Sequence, residues 1–329
     1  ITLDSHCDTP MFFSDSQDDV NHMFTTRTDR VLVDLPKMTD GRLDASIMVA
    51  YIPQGERSAQ GYREAFTLAQ KKLDQIEALT RAYPHLLGLA SNPDDLLRFK
   101  AQGIKAIMRG IENGYAIGRD LSLLSHFRQM GVVYMTLCHN GDNDICDSSR
   151  GQAEHGGLSA FGQEVVREMN ALGMMIDMSH AAESSFYDAL ALSQAPIVCS
   201  HSSSRALCSH PRNLTDDQMK ALAAQGGVAQ VTLYHGFLRH EGEATVLDAL
   251  DHLHHMVQVM GPEHVGIGTD FDGDGGVRGL KDASELIGFT RQLLRRRYSE
   301  SDLQGIWGGN FLRVMRQVQS SATSHLGLS

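Results

Sequence analysis

The sequence predicts an α/β fold, a (β/α)8 barrel that residues 1–329 form as a single domain. Eight short runs of apolar and β-branched residues alternate with longer amphipathic stretches, the order typical of a barrel of parallel, buried strands. No Pro-, Gly- or Ser-rich linker and no internal repeat interrupts this alternation. Residue types that bind metals or transfer protons recur where these runs end.

The predicted strands are apolar enough to be buried on both faces. They are ITLDSH (1–6), ASIMVAYI (45–52), IKAIMRGI (104–111), VVYMTLCH (132–139), MMIDMSH (174–180), PIVCSH (196–201), GVAQVTLY (227–234) and HVGIGTD (264–270). A further short run, LLGLA (86–90), is the weakest strand candidate, and we leave it out of the barrel.

Helical periodicity fills most of the intervals between these strands. It is seen in REAFTLAQKKLDQIEAL (63–79), LSLLSHFRQM (121–130), FGQEVVREMNAL (161–172), ESSFYDALAL (183–192), TDDQMKALAAQ (215–225) and VLDALDHLHHMVQVM (246–260). Thr215 and the two acidic residues after it are typical of a helix N-terminus. A doubly wound open sheet is the competing arrangement. It usually carries a Gly-rich phosphate turn after the first strand, which SHCDTPMFF lacks, so we favour the barrel.

Composition narrows the class of protein. A hydrophobic content of 42% with 21% charged residues is ordinary for a soluble enzyme, and the net charge of −11 argues against a nucleic-acid partner. No apolar run is long enough for a transmembrane helix. Five cysteines without framework spacing favour a reducing compartment, so we expect a cytoplasmic protein. A periplasmic or secreted location stays open, because a chain that begins at Ile1 is compatible with removal of an N-terminal signal.

The ends of the predicted strands carry the candidate chemistry. In a barrel these ends form one open mouth, and six of the eight strands end at or beside a metal-ligand or acid–base residue. The residues are His6 and Asp8, Glu112, His139, His180, His201 and Asp270. Each is ambiguous alone, since the chain has 16 histidines, but chance would not collect them at one end of the strands. Converging carboxylates and imidazoles require a compensating cation, so we predict a metal site.

The first strand illustrates this conclusion. Strict alternation in LDSHCDTP (3–10) places Asp4, His6 and Asp8 on one face of the strand. Burying these groups without a partner would be severely destabilising, so we expect His6 and Asp8 to face a metal.

Imidazole and carboxylate ligands suit Zn²⁺ and also Mn²⁺, Co²⁺ or Fe²⁺. Five candidate ligands are too many for one open catalytic zinc, and two metals that share one carboxylate fit better. The predicted ligands are His6, Asp8, Glu112, His180 and His201.

Two other motifs are set aside. DFDGDG (270–275) imitates the start of an EF-hand loop, but Lys281 occupies the twelfth position and the motif follows a strand. Cys7 and Cys138 lie next to candidate ligands, yet neighbours on a strand point in opposite directions. We therefore expect both thiols to pack outward against helices rather than to act as nucleophiles.

Taken together, several segments resemble the membrane (renal) dipeptidase family of the amidohydrolase superfamily. They are DSHCDTP, GIENG, GVVYMTLCHN, GLSAFGQEVVREMNALGMMIDMSH, PIVCSHSSSRALCSHPRN, HVGIGTDFDG and GGNFLRV, in the expected order over nearly the whole chain. The resemblance implies a (β/α)8 barrel with two bridged zinc ions that cleaves dipeptides, and many members of the family accept a D-residue at the C-terminal position. It also implies that His6 and Asp8 hold one zinc, His180 and His201 the other, and that Glu112 bridges both.

Three further residues match family positions that act on the substrate. His139 matches a histidine that contacts the substrate carbonyl and stabilises the tetrahedral intermediate, Arg212 an arginine that binds the terminal carboxylate, and Asp270 an acid beside the bridging water. The family's usual HND and EGG are here HCD and ENG, so Asn113 is expected to alter the loop after Glu112. Residues 141–157 are atypical, and we expect them to border the mouth and influence specificity.

The expected function is that of a zinc-dependent dipeptidase. In it a metal-bridged hydroxide attacks the peptide bond, with Asp270, His139 and Glu112 as catalytic residues and His139, Arg212 and Asp270 in contact with substrate. Alternatives are a related amidohydrolase, a tailoring enzyme acting on a peptide-derived metabolite, and an inactive binding protein. The last is disfavoured because no predicted ligand is missing. The expected partner is a small dipeptide, and a homodimer is left open.

Overall fold

Nine parallel strands form the sheet in the computed structural model, which describes residues 1–322. They are β1 (Leu3–Cys7), β2 (Ala45–Tyr51), β3 (Leu87–Leu89), β4 (Lys105–Glu112), β5 (Val132–Thr136), β6 (Met175–Asp177), β7 (Val198–Cys199), β8 (Val228–Val231) and β9 (Val265–Ile267). Eight of them pair in the order β1-β2-β4-β5-β6-β7-β8-β9. The prediction of a single-domain (β/α)8 barrel is confirmed. That this domain takes in residues 1–329 stays a prediction.

The ring of strands is nearly closed where β1 meets the segment after β9. The backbone N–H of Asp8 donates to the carbonyl of Phe271 at 2.8 Å, and the N–H of Asp270 donates to the carbonyl of His6 at 3.1 Å. These two bonds therefore join the first and last strands at the mouth, beside two of the predicted site residues.

All eight predicted strands are present, and β3 is an addition. It pairs with β4 off the ring, in the run LLGLA that we left out. The ring of Phe99 packs against Gly88, where an added Cβ would lie 2.4 Å from the ring carbons. Because this short strand depends on contact with a neighbouring helix, its own three residues gave only a weak signal.

Helices follow the strands and cover the outside of the barrel. They are α1 (Gln17–Thr25), α2 (Leu35–Asp40), α3 (Ala59–Ala82), α4 (Pro93–Ala101), α5 (Ser122–Gln129), α6 (Ala160–Leu172), α7 (Glu183–Leu192), α8 (Asp216–Ala224), α9 (His235–Leu238), α10 (Val246–Met260), α11 (Leu286–Arg295), α12 (Glu300–Gln304) and α13 (Asn310–Ser320). The six predicted helices correspond to α3, α5, α6, α7, α8 and α10. Thr215 and Gln218 form a reciprocal capping box, which explains the predicted start of α8. Within residues 1–322, none of these helices combines the length and the apolar character needed to cross a bilayer.

Apolar packing occurs in two clusters. One lies between the strands and the surrounding helices and includes Cys7 and Cys138, so both thiols pack outward as predicted. The other joins inward-facing strand residues such as Ile47 and Met108 to Phe311 of α13. Helix α13 thus closes the end of the barrel away from the mouth, which leaves the carboxyl ends of the strands for polar chemistry.

The strict alternation predicted for β1 is wrong. Leu3 pairs with Ala45 and belongs to the interior cluster, and the register shifts between Asp4 and Cys7. Asp4 therefore does not share a face with His6; its carboxylate accepts hydrogen bonds from the N–H and hydroxyl of Thr269, at 2.9 and 2.6 Å. An irregularity of this kind re-aims the following side chain, and here it directs His6 toward the mouth.

We predict that Phe311→Ala lowers the free energy of unfolding by about 3–5 kcal/mol, because the fully buried ring would leave a cavity between α13 and the strands. Urea denaturation measures the loss. Leu97→Ala is the matched control, since 54% of that side chain is exposed, and its effect should stay below about 0.5 kcal/mol. Equal losses in the two variants would contradict the assignment of α13 as the closure of the barrel.

Candidate metal centre

The five predicted metal ligands meet around Glu112, the last residue of β4. Its Oε1 atom lies 3.6 Å from Nε2 of His6, 3.0 Å from Nε2 of His180 and 3.4 Å from Nε2 of His201. Nε2 of His6 is also 3.5 Å from Oδ2 of Asp8. Segments far apart in the chain therefore bring these donor atoms to a single point at the mouth.

Local backbone strain accompanies this convergence. His6 and Glu112 lie within strands, whereas the other three predicted ligands follow strands in loops. His180 has a φ of 71° and Asp270 a φ of 61°, values that residues other than glycine rarely adopt. Such conformations persist where the surrounding structure enforces them, and they are concentrated at functional sites.

A hydrogen bond to Tyr134 determines the orientation of His6. The Tyr134 hydroxyl donates to the carbonyl of Ser5 at 2.9 Å and lies 2.7 Å from Nδ1 of His6. Since its single proton is engaged with Ser5, the hydroxyl must accept from His6 Nδ1–H. In the neutral ring, which is the form that binds a metal, the Nε2 lone pair of His6 therefore faces Glu112 and Asp8.

His201 is oriented in the same way through Ser200 and Asp177. The Ser200 hydroxyl donates to Oδ2 of Asp177 at 2.6 Å, so it accepts from Nδ1–H of His201 at 2.8 Å. Thr136 donates to the same Asp177 oxygen at 2.6 Å. The Nε2 lone pair of His201 again faces the centre.

His180 is the third imidazole whose orientation is fixed by a hydrogen bond. Its Nδ1 lies 3.1 Å from Oδ1 of Asn140, an oxygen that can only accept, so the proton is on Nδ1. The Nε2 atoms of His180 and His201 are then 2.9 Å apart with a lone pair on each. Three lone pairs and two carboxylates that converge in this way repel one another unless a cation lies between them.

The buried polar atoms fit a metal. Nε2 of His6 and Oδ1 of Asp8 are both buried and have no hydrogen-bond partner among the described residues. An unpaired buried acceptor carries a large desolvation cost, which metal coordination removes. The donor set of imidazole nitrogens and carboxylate oxygens suits Zn²⁺ and other first-row divalent ions.

The pKa values of the carboxyl groups reflect their burial and their closeness to one another. Burial together with the neighbouring Glu112 charge raises the pKa of Asp8 to about 6. Burial and the charge of Asp8 raise the pKa of Asp270 well above its usual range. Burial opposes the ionisation of Glu112 as well, but in the cation-free protein positive charge on His6, whose own pKa is raised by Glu112 and Asp8, holds the pKa of Glu112 well below the usual range. Glu112 is thus the carboxylate most strongly held in its ionised form.

The remaining predicted residues line the same pocket, which has a volume of about 210 Å³. His139 and Asp270 both border it, and the His139 ring centroid lies 4.2 Å from that of His180. Arg212 is only 3% exposed; its guanidinium donates to the carbonyl of His201 at 3.0 Å and to the hydroxyl of Ser202 at 3.4 Å. No carboxylate of residues 1–322 pairs with Arg212, so a buried cation faces the pocket without an anion.

Comparison with known proteins identifies the family. The model for the membrane dipeptidases, peptidase family M19, matches residues 1–326. The chain belongs to the membrane dipeptidase family. The predictions of this family and of a hydrolase that acts on peptide bonds are confirmed.

Several relatives of this dipeptidase family align along the chain. Dipeptidase 3 of Mus musculus is 36% identical over 337 residues, which cover 99% of this chain; the chain spans 66% of the length of that relative. Dipeptidase verJ of Clonostachys rogersoniana is 33% identical over 329 residues, which cover 96% of this chain and 84% of verJ. The crystal structure of the probable dipeptidase PvdM from Pseudomonas aeruginosa is 28% identical with a TM-score of 0.92, and the match covers 98% of this chain and 96% of that chain.

The departure from the dipeptidase motif at Asn113 has a structural consequence. Asn113 has a φ of 88°, and its amide donates to the carbonyl of Ile52 at 2.9 Å. Its Oδ1 accepts from the backbone N–H of Tyr115 and from the amide of Asn143, each at 3.1 Å. Asparagine tolerates this backbone conformation better than most residues, and here it also ties the loop after β4 to the loops after β2 and β5.

Sequence reasoning missed the residues that orient the imidazoles of the candidate metal centre. Tyr134, Asp177 and Ser200 carry no motif of their own, and their roles follow only from their neighbours in space. Gly273 lies in the DFDGDG motif, which is visible in the sequence. A Cβ added at this glycine would lie 2.1 Å from Oδ2 of Asp8 and 2.6 Å from Oδ1 of Asp270. This motif therefore serves as a close-approach loop beside the centre.

We predict that Tyr134→Phe weakens Zn²⁺ affinity about 10- to 100-fold, because His6 Nδ1–H would lose the acceptor that fixes its ring. Competition with a chromophoric chelator measures the affinity. Tyr298→Phe is the control, since that hydroxyl contacts His254 away from the pocket. Equal affinities of Tyr134→Phe and the unmodified protein would rule out this orienting role.

Proposed function

We propose that the protein is a zinc-dependent dipeptidase with two Zn²⁺ ions. His6 and Asp8 would hold one ion and His180 and His201 the other, with Glu112 bound to both; Mn²⁺, Co²⁺ or Fe²⁺ could replace zinc. The observation that carries the proposal is the convergence of three imidazole lone pairs on Glu112, beside the unpaired guanidinium of Arg212.

A pair of such cations lowers the pKa of a bound water and polarises a substrate oxygen. Asp270, at the edge of the centre, would accept a proton from the attacking water and return it to the leaving amine. Burial lowers the pKa of His139, which keeps its imidazole neutral at pH 7. A neutral imidazole can still donate one N–H, and His139 would direct it at the carbonyl oxygen as negative charge develops there.

Arg212 would bind the terminal carboxylate of the substrate. A guanidinium presents a planar pair of donors that matches a carboxylate, and the low exposure of Arg212 strengthens such a pair. The pocket volume of about 210 Å³ is below the 300–1,000 Å³ typical of larger ligands. Both features favour a short peptide with a free C-terminus.

The charges around the pocket also suit a zwitterion. Asp8 and Asp270 come from the adjoining β1 and β9 ends of the ring, whereas Arg212 comes from the loop after β7. A dipeptide would direct its ammonium group toward this carboxylate side of the pocket, where Asp270 is not a proposed metal ligand, and its carboxylate toward Arg212. Acceptance of a D-residue at the C-terminal position is part of this proposal.

A substrate panel separates this proposal from the alternatives. Preferential hydrolysis of L,L or L,D dipeptides supports it, whereas a preference for lactones or phosphotriesters indicates a related amidohydrolase. Activity only on peptide-derived metabolites indicates a tailoring enzyme, and zinc binding without hydrolysis of any substrate indicates a binding protein. A cytoplasmic location and a homodimer stay predictions.

We predict that Glu112→Ala loses both zinc ions and lowers activity by more than about 100-fold, because both ions would lose a ligand. Elemental analysis and dipeptide turnover measure the two effects on one sample. Glu164→Ala, an exposed position on α6, should keep metal and activity. Full activity with two zinc ions retained in Glu112→Ala would refute the bridge.

We predict that Arg212→Ala keeps its zinc and lowers kcat/KM for free dipeptides roughly 30- to 1,000-fold, the equivalent of about 2–4 kcal/mol for a truncated buried charge pair. Dipeptide amides lack the carboxylate, so the unmodified protein should discriminate against them and the variant should not. If both proteins prefer the free acid equally, Arg212 does not bind the terminal carboxylate.

A further inference from the structure

Arg150 is a second cation at the pocket. It lies in the segment 141–157 after β5 and lines the pocket together with Arg212. No carboxylate of the described residues pairs with it, and its only side-chain partner there is His210, whose Nε2 lies 3.3 Å from Nη2 of Arg150. Because arginine only donates hydrogen bonds, this contact is a hydrogen bond only if Nε2 of His210 carries a lone pair.

The tautomer of His210 makes the contact unfavourable as a hydrogen bond. The backbone N–H of Arg212 donates to Nδ1 of His210 at 3.1 Å, so Nδ1 is the acceptor and Nε2 carries the proton. Burial and the charges of Arg150 and Arg212 lower the pKa of His210 to about 4, so the ring is neutral at pH 7. Two N–H donors, one from Arg150 and one from His210, therefore lie side by side with no acceptor between them.

The loop that presents Arg150 is rigidly held. Oδ1 of Asp142 accepts from the N–H of Ser148 at 2.7 Å and Oδ2 accepts from the N–H of Gln152 at 2.6 Å, one on each side of Arg150. The N–H of Arg150 itself donates to the Ser148 hydroxyl at 3.2 Å. Because the backbone that carries Arg150 is already ordered, only the side chain of Arg150 has to be ordered when an anion binds.

The pair is adjacent to the proposed carboxylate site. The ring of Phe237 has its centroid 4.6 Å from that of His210, and the guanidinium carbon of Arg212 lies 5.2 Å from the same centroid. Phe237 thus lies against both His210 of the donor pair and Arg212. A second anion bound at the pair would belong to the substrate residue whose terminal carboxylate is bound by Arg212.

We propose that Arg150 and His210 form a second carboxylate subsite, which selects dipeptides with aspartate or glutamate as the C-terminal residue. The inference rests on the proposed dipeptidase function, in which Arg212 binds the terminal carboxylate. The side-chain carboxylate accepts from the guanidinium of Arg150 and from Nε2–H of His210, and its charge compensates that of Arg150. A neutral amide of the same shape forms weaker hydrogen bonds and leaves the charge unpaired.

The test compares Gly-Glu with Gly-Gln, which have the same shape, as substrates of the zinc-loaded protein. We expect kcat/KM to be about tenfold higher for Gly-Glu, mainly through KM, a modest ratio because Arg150 is exposed. Arg150→Ala should reduce this ratio to about one, and Arg150→Glu should shift the preference to Gly-Lys. Arg57→Ala is the matched control: Arg57 binds Glu154 of the same segment outside the pocket, so the ratio should not change.

A ratio near one in the unmodified protein, or an unchanged ratio in Arg150→Ala, would overturn the subsite. If the zinc-loaded protein hydrolyses neither these two peptides nor any dipeptide of the substrate panel, the dipeptidase proposal fails. Calorimetric binding of Gly-Glu and Gly-Gln then decides the subsite separately. About tenfold tighter binding of Gly-Glu that Arg150→Ala abolishes would support it. Equal binding of the two peptides would overturn it.

Discussion

The convergence of imidazole lone pairs on Glu112 is the constraint on which the rest of this structure depends. Each Nδ1–H has an acceptor, from Tyr134, Asn140 or Ser200, so each Nε2 must turn toward the same carboxylate. Electron pairs and negative charge collected in a buried position raise the free energy of the cation-free protein. A divalent cation converts that cost into binding, so the hydrogen bonds that orient the donor atoms contribute to affinity together with the ligands themselves.

The residues that close the barrel also contribute side chains to the pocket. The hydrogen bonds from the N–H groups of Asp8 and Asp270 join the first and last strands, and the same two residues carry carboxylates into the pocket. Helix α13 packs Phe311 against the other end of the interior. The apolar end supplies stability and the polar end supplies chemistry, so the two demands do not compete for the same positions.

Rigidity at the mouth suits a small, doubly charged substrate. Positive φ values at Asn113, His180 and Asp270 indicate a backbone held by its surroundings, and Asp142 fixes the loop on both sides of Arg150. Preorganised donors bind an anion without first having to be ordered. The chain belongs to the membrane dipeptidase family. Under our proposal, its loop after β5, which places Arg150 beside His210, determines its preference among substrates.

The sequence by itself determined the eight barrel strands, the main helices and the seven strand-end residues that meet at the mouth, while Arg212 followed from the family resemblance. These follow from apolar periodicity and from polar residues at strand ends, which are local patterns along the chain. Tertiary structure alone decided the shifted register of β1, the short strand β3 and the residues that orient the imidazoles. Tyr134 is 128 positions from His6, and Asp177 acts on His201 through Ser200. Such hydrogen bonds depend on how strands align across the barrel, and no periodicity within one segment records that alignment.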